Sequence, residues 1–219
     1  YEMQNRDWSS DVCSSDLSNL VILDDRGSLF DYSATWNVKN RPLAATDQWL
    51  YPQAISGFYG NLYVLDTQRN QILKYLSTQA DGGYSNPPIE WLTSTDKVDL
   101  AGAVDMGIDG HIYILYADGR IVKLLNGEPV PFAVTAIDMP LRNPTALFTN
   151  ADQETQYLYV ADKGNGRVVQ LNKDGRFQRQ FRVETDAFRD LRSLWVDELE
   201  QKMYILSGNS VYVTNLPTE

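Results

Sequence analysis

The sequence predicts an all-β protein assembled from propeller blades, and three observations carry that prediction. A strand-like segment recurs five times, at residues 19–23, 61–65, 111–115, 157–161 and 202–206. Its central residues, Val21, Tyr63, Tyr113, Tyr159 and Tyr204, stand 42 to 50 positions apart, the spacing of blades rather than of hairpins or helical repeats. Between these segments there is no helical periodicity. Instead, Asp109-Gly110, Asp118-Gly119 and Asp174-Gly175 supply the positive φ that tight strand connections need.

Each repeat reads as an inner strand, the recurring strand and a third, amphipathic strand. The inner strands are expected at 54–56, 103–106, 145–148 and 193–196, and Pro144 suits the start of one of them because its missing N–H does least harm there. The third strands are expected at 28–32, 71–75, 120–124, 167–171 and 210–214. The longer stretch 76–99, with Asp81-Gly82-Gly83 and Asn86-Pro87-Pro88, reads as an outer strand plus a surface loop and accounts for the widest step. The four tyrosines at the strand centres read as packing between blades rather than as an aromatic binding array.

Residues 143–181 carry the sharpest pattern: Asn143-Pro144-Thr145-Ala146-Leu147, Tyr157-Leu158-Tyr159-Val160-Ala161-Asp162, Gly164-Asn165-Gly166-Arg167-Val168-Val169 and Asp174-Gly175-Arg176-Phe177. This stretch resembles an NHL repeat, and the repeats around Leu62 and Ile112 match more loosely. The resemblance implies a β-propeller that serves as a binding platform, with sensor domains of bacterial receptor kinases on one side and metal-dependent lyases and lactonases as a minority on the other. A WD40 reading fits less well, because Gly110-His111 occurs once and no Trp-Asp pair closes a repeat.

Residues 1–17 stand outside the pattern. The run from Asp7 to Leu17 looks like a translated sequencing adapter and is expected to be non-native, leaving residues 18–219 as an N-terminally truncated propeller domain. Two readings of the ends are open. One is a closed five-bladed ring whose first and last strands share a blade. The other is part of a six-bladed ring, and it is preferred because the adapter-like block supports truncation independently. Without that block the net charge moves from −10 to −7, since Arg6 leaves with Glu2, Asp7, Asp11 and Asp16, and the only cysteine, Cys13, leaves too. A chain free of cysteine suits an oxidising compartment and the cytosol alike. The sensor resemblance leans toward an extracytoplasmic setting.

The acidic balance argues against nucleic acid, which requires a basic stripe to neutralise phosphates. No apolar run approaches 18 residues, so this segment is not expected to insert into a membrane. No catalytic residues stand out. His111 is the only histidine, which excludes a multi-histidine metal site, and no Gly-x-Ser-x-Gly run is present. Asp24, Asp66 and Asp162 precede turns and read as acceptors for backbone amides. Asp105 and Asp197, each following a valine in an inner strand or one residue beyond it, are the best carboxylates for an alternative divalent-metal site such as calcium; otherwise no cofactor is expected.

In the propeller arrangement, the loops leading into inner strands and the turns from second to third strands share one face. They hold Arg142, Arg189 and Arg192, together with Arg26, Arg69 and Lys163. Arg69, Arg142, Lys163, Arg189 and Arg192 are therefore the candidate binding residues, suited to a protein partner or a small anionic ligand on an otherwise acidic chain. The expected function is non-enzymatic recognition, as the C-terminal sensor or docking module of a larger protein. The alternative is a metal-dependent lactonase or lyase.

Overall fold

A computed structural model of the chain describes residues 12–15, 19–23, 28–33, 37–40, 43–78, 83–151, 155–183 and 185–217. Nineteen strands are described, and all pair antiparallel with their neighbours in the chain to give five sheets, with no crossover. Contacts divide the chain into two compact units, residues 1–90 and 91–219.

The first unit holds two four-stranded sheets. One is β1 (Val12–Ser15), β2 (Asn19–Leu23), β3 (Leu29–Ser33) and β4 (Asn37–Asn40). Its β1 is drawn from the block expected to lie outside the fold and pairs with β2 from Val12 opposite Ile22 to Ser15 opposite Asn19. The other is β5 (Pro52–Phe58), β6 (Asn61–Asp66), β7 (Gln71–Tyr75) and β8 (Ile89–Glu90). The alternating pattern buries Leu62 and Val64 on β6 and Leu73 and Tyr75 on β7 in one cluster with Leu29, Ile55 and Tyr84. The outer strand inferred within 76–99 is β8, while residues 79–82 of that stretch lie outside the described residues.

The second unit holds three sheets: β9 (Ala103–Ile108), β10 (Ile112–Tyr116), β11 (Ile121–Leu125) and β12 (Glu128–Val130); β13 (Ala146–Phe148), β14 (Tyr157–Asp162), β15 (Arg167–Asn172) and β16 (Phe177–Phe181); and β17 (Leu191–Asp197), β18 (Lys202–Ser207) and β19 (Ser210–Asn215). Every residue of β10 is buried, and β14, whose sheet packs against both the third and the fifth, is buried after its first residue. Tyr113, Leu115 and Ile121 pack with Leu147, Leu158, Val160 and Val169, which joins the third sheet to the fourth. Tyr159, Ala161 and Val168 pack with Leu191, Leu194, Val196 and Met203, which joins the fourth to the fifth. Tyr113 and Tyr159 are buried at these packing positions, Tyr63 is buried in the first unit, and Tyr204 is only partly buried. The last sheet has three strands, and its third strand β19 is exposed along its whole length, including Val211, Tyr212 and Val213, where the third strands β7 and β15 are largely buried.

The Asp-Gly connections behave as the sequence indicates, with φ of 110° at Gly110, 95° at Gly119 and 89° at Gly175. A side chain at Gly175 would also come within 2.3 Å of the Ala133 carbonyl, so the turn is pressed against the preceding loop.

Candidate functional site

In each described repeat from the second onward, the turn after the second strand is hydrogen-bonded to the loop that leads into the inner strand of the same sheet. Thr67 N donates to Tyr51 O at 3.1 Å, Ala117 N to Gly102 O at 2.9 Å, Gly164 N to Arg142 O at 2.8 Å and Gly208 N to Asp190 O at 2.8 Å. These bonds bring the two loop classes onto one rim within each sheet.

Carboxylates at the ends of second strands organise this rim. Asp66 is buried and accepts from the amides of Leu50 (2.7 Å), Tyr51 (3.0 Å) and Arg69 (3.0 Å). Asp162, also buried, accepts from Arg142 N (2.8 Å), Asn165 Nδ2 (2.8 Å) and Arg167 Nε (2.6 Å). The buried Arg167 completes its fan of donors with Gln180 Oε1 at 2.8 Å and Met139 O at 2.5 Å. Sequence reasoning took Arg167 only as a strand residue. The detectable signal was its hairpin register, since Asp162 stands directly opposite Arg167. Between them the turn closes at Gly166 with φ of 58°, and Gly164 leaves no room for a side chain, which would lie 2.4 Å from Arg142 O. Asp24 and Arg26 lie outside the described residues.

On this scaffold the second unit gathers four of the five candidate cations. Lys163 Nζ lies 2.5 Å from Asp190 Oδ1, and Arg192 Nη2 lies 3.1 Å from Asp190 Oδ2, so Asp190 bridges the turn of the fourth sheet to the leading loop of the fifth. The Lys163 bond first, and that from Arg192 second, hold the Asp190 carboxyl below the usual aspartate range. Arg142, whose carbonyl accepts from Gly164 N at 2.8 Å next to Lys163, and Arg189, the residue before Asp190, are both exposed and have no ion-pair partner among the described residues. Arg69 belongs to the first unit, where its guanidinium bonds Glu90 Oε1 at 2.9 Å and Gln48 O at 3.2 Å.

The alternative metal residues are placed differently. Asp105 is buried with both oxygens on main-chain amides, Oδ1 on Met106 (2.8 Å) and Oδ2 on Leu147 (2.6 Å), which staples the third sheet to the fourth. Asp197 accepts from Glu200 N at 2.7 Å in a turn. The registers put Asp105 opposite Leu115, in the first half of β9, and Asp197 opposite Lys202, at the last residue of β17. Among the described residues no group of three His, Cys, Asp or Glu side chains converges. His111, about a third exposed, has Nδ1 3.7 Å from Asp109 Oδ1.

Among solved structures the chain is similar to β-propeller proteins, which defines its fold. Virginiamycin B lyase from Staphylococcus aureus matches all of this chain and 74% of its own at 13% identity, with a TM-score of 0.56. A candidate 6-phosphogluconolactonase from Bacteroides uniformis matches 95% of this chain and 67% of its own at 12% identity, TM-score 0.56. A chain of a nidogen/laminin complex matches 78% of this chain and 62% of its own at 15% identity, TM-score 0.54. These neighbours include enzymes and a protein of a binding complex, and at such identities they share the fold alone with this chain. No family model and no curated protein matches the sequence. No helix among the described residues is long and apolar enough to cross a membrane.

Proposed function

We propose that this chain is a non-enzymatic recognition module, part of a larger protein, that binds an acidic protein surface or small anion through the rim of its second unit. The observation that carries the reading is the cation arrangement. Lys163 and Arg192 share one aspartate, and Arg142 and Arg189 stand beside them exposed, on a chain whose net charge is −10. A local excess of positive charge on an acidic protein steers anionic partners to one place and repels them elsewhere. The guanidinium groups add a forked geometry suited to carboxylate or phosphate. Asp105, whose oxygens both serve backbone amides, supports an architectural role for the strongest inner-strand acid.

The test is titration of a fluorescent oligoglutamate peptide into the full chain, with the double variant Arg142→Glu, Arg189→Glu as comparison. Binding that weakens with salt and drops by about tenfold or more in the variant supports the reading. Equal binding to both proteins refutes it.

A further inference from the structure

A second site lies away from the cation rim, between the fourth and fifth sheets. Here the structure has a cavity of about 310 Å³ lined by Tyr159, Gln170, Arg179, Phe181, Glu198 and Leu216 among others. Strand register assembles its floor: Tyr159 on β14 faces Gln170 on β15, which faces Arg179 on β16. Glu198, from the turn after β17, accepts from Gln156 N at 2.7 Å, Tyr157 N at 3.3 Å and the Tyr159 hydroxyl at 3.0 Å. Gln170 donates its Nε2 to Tyr159 Oη at 3.1 Å. Its other end is the anomaly. Gln170 is buried, and its Oε1 has no donor in the structure. A buried acceptor without a partner is costly, and a donor arriving with a ligand would return that cost.

The same molecule shows what fills such a space. At the junction of the third and fourth sheets, Tyr113 faces Lys123 as Tyr159 faces Gln170. There Lys173, the first residue after β15, reaches over the Tyr113 ring at 5.9 Å from its centroid. Its ammonium bonds Asp109 Oδ2 at 2.6 Å and also Thr149 Oγ1. The residue in the corresponding place after β19 is Leu216, because Asn215 stands opposite Lys202 as Asn172 stands opposite Tyr157. At the fourth–fifth junction a tyrosine, a carboxylate and a neutral oxygen are therefore present, and the ammonium is missing. At the cavity's edge Arg179 has no ion-pair partner among the described residues.

We infer that this cavity binds a small zwitterion of the α-amino-acid class with an apolar side chain. The ligand ammonium takes the place that Lys173 fills next door, meeting Glu198 and Gln170 Oε1. The carboxylate pairs with Arg179, and the side chain lies against Phe181 and Leu216. The volume stands at the lower end of ordinary ligand pockets, which suits a molecule of that size.

Calorimetric titration of the full chain with L-phenylalanine tests this, alongside the two half-molecules phenethylamine and 3-phenylpropanoate. Expected are saturable binding of the amino acid and affinities lower by about tenfold or more for either half-molecule. Arg179→Ala should weaken binding by a similar factor. Leu216→Lys, which would supply the ammonium from the chain itself, should abolish it. Circular dichroism of each variant checks folding, and either variant alone suffices if the other fails to fold. The inference is overturned if L-phenylalanine does not bind at millimolar concentration. Half-molecules binding as well as the amino acid, or folded variants binding unchanged, would also overturn it. The oligoglutamate titration reads a different surface, so the two readings stand or fall separately.

Discussion

The junction between the third and fourth sheets is closed, whereas the one between the fourth and fifth is open, although both are built on the same frame. In each a central tyrosine lies buried beneath a polar residue of the third strand. In the closed junction Lys123 Nζ donates to Lys173 O at 3.0 Å, and Lys173 spans to Asp109. Phe132 stacks edge-on against Tyr113 at 5.8 Å. In the open junction a leucine follows the third strand, and the space over Tyr159 is left to a ligand. The difference teaches that the residue just past the third strand, together with the partners that hold it, separates an architectural junction from a cavity. Burial pushes the Lys173 ammonium down against the pull of Asp109, so the filling has an electrostatic cost that the aspartate must offset.

Asp109→Ala should break the closed junction most severely, because it leaves the Lys173 ammonium largely buried without its carboxylate. We expect a loss of about 2–3 kcal/mol in urea denaturation, below the range for fully buried pairs because the lysine side chain is 26% exposed. The double variant Asp109→Leu, Lys173→Met should restore stability to within about 1 kcal/mol of the parent. A single-variant loss under about 0.5 kcal/mol would show that the pair does not hold the junction.

Alkaline pH acts on both junctions. Burial raises the phenols of Tyr113 and Tyr159 above the ordinary range, and the Glu198 charge adds to the shift at Tyr159. In the first unit Tyr75 is pushed up to about 12 by the same cause. Phenols in the unfolded chain ionise near about pH 10, so there the unfolded state releases protons first and becomes favoured. Stability should be intact below that pH and fall as pH rises toward the folded-state values. Thermal midpoints between pH 8 and 12, with tyrosinate absorbance in parallel, would show this. A midpoint independent of pH across that window would contradict it. The smallest effect belongs to Leu216→Lys. By closing the open junction it should add about 1 kcal/mol, as the Gln170 acceptor gains a donor. Destabilisation of a folded Leu216→Lys protein would mean that the two junctions are not interchangeable.

The central strands and Asp-Gly turns were legible because their signals are local. Three of the four inner strands run longer than expected, with β5 spanning Pro52–Phe58 rather than 54–56, since pairing with a neighbour extends a strand beyond its apolar core, whereas β13 is one residue shorter than expected. The fourth strands gave almost no signal, and β8 is only Ile89 and Glu90, both exposed. At the rim, Lys163 and Arg192 read as loop cations, although Arg192 lies within β17, whose pairing begins at Leu191; their common partner Asp190 is 27 residues from one and two from the other. The cavity was invisible in the sequence. Gln170 looks like any polar position of an amphipathic strand until register sets it against Tyr159 and the next sheet brings Glu198. Nor does the pairing of β1 with β2 bear on where residues 7–17 came from. Main-chain hydrogen bonds do not read side chains, so an adapter-like sequence and a paired strand are compatible.

Each sheet is an unbroken run of consecutive strands, and this gives the molecule a mechanical character. A chain pulled from its ends would load the hairpins of the four-stranded sheets, whose two ends leave on the same side, like a zipper, one pair of bonds at a time. It would yield in successive steps, each releasing one sheet of roughly 45 residues, or about 150 Å of slack. Such a molecule lengthens under tension long before it is fully undone.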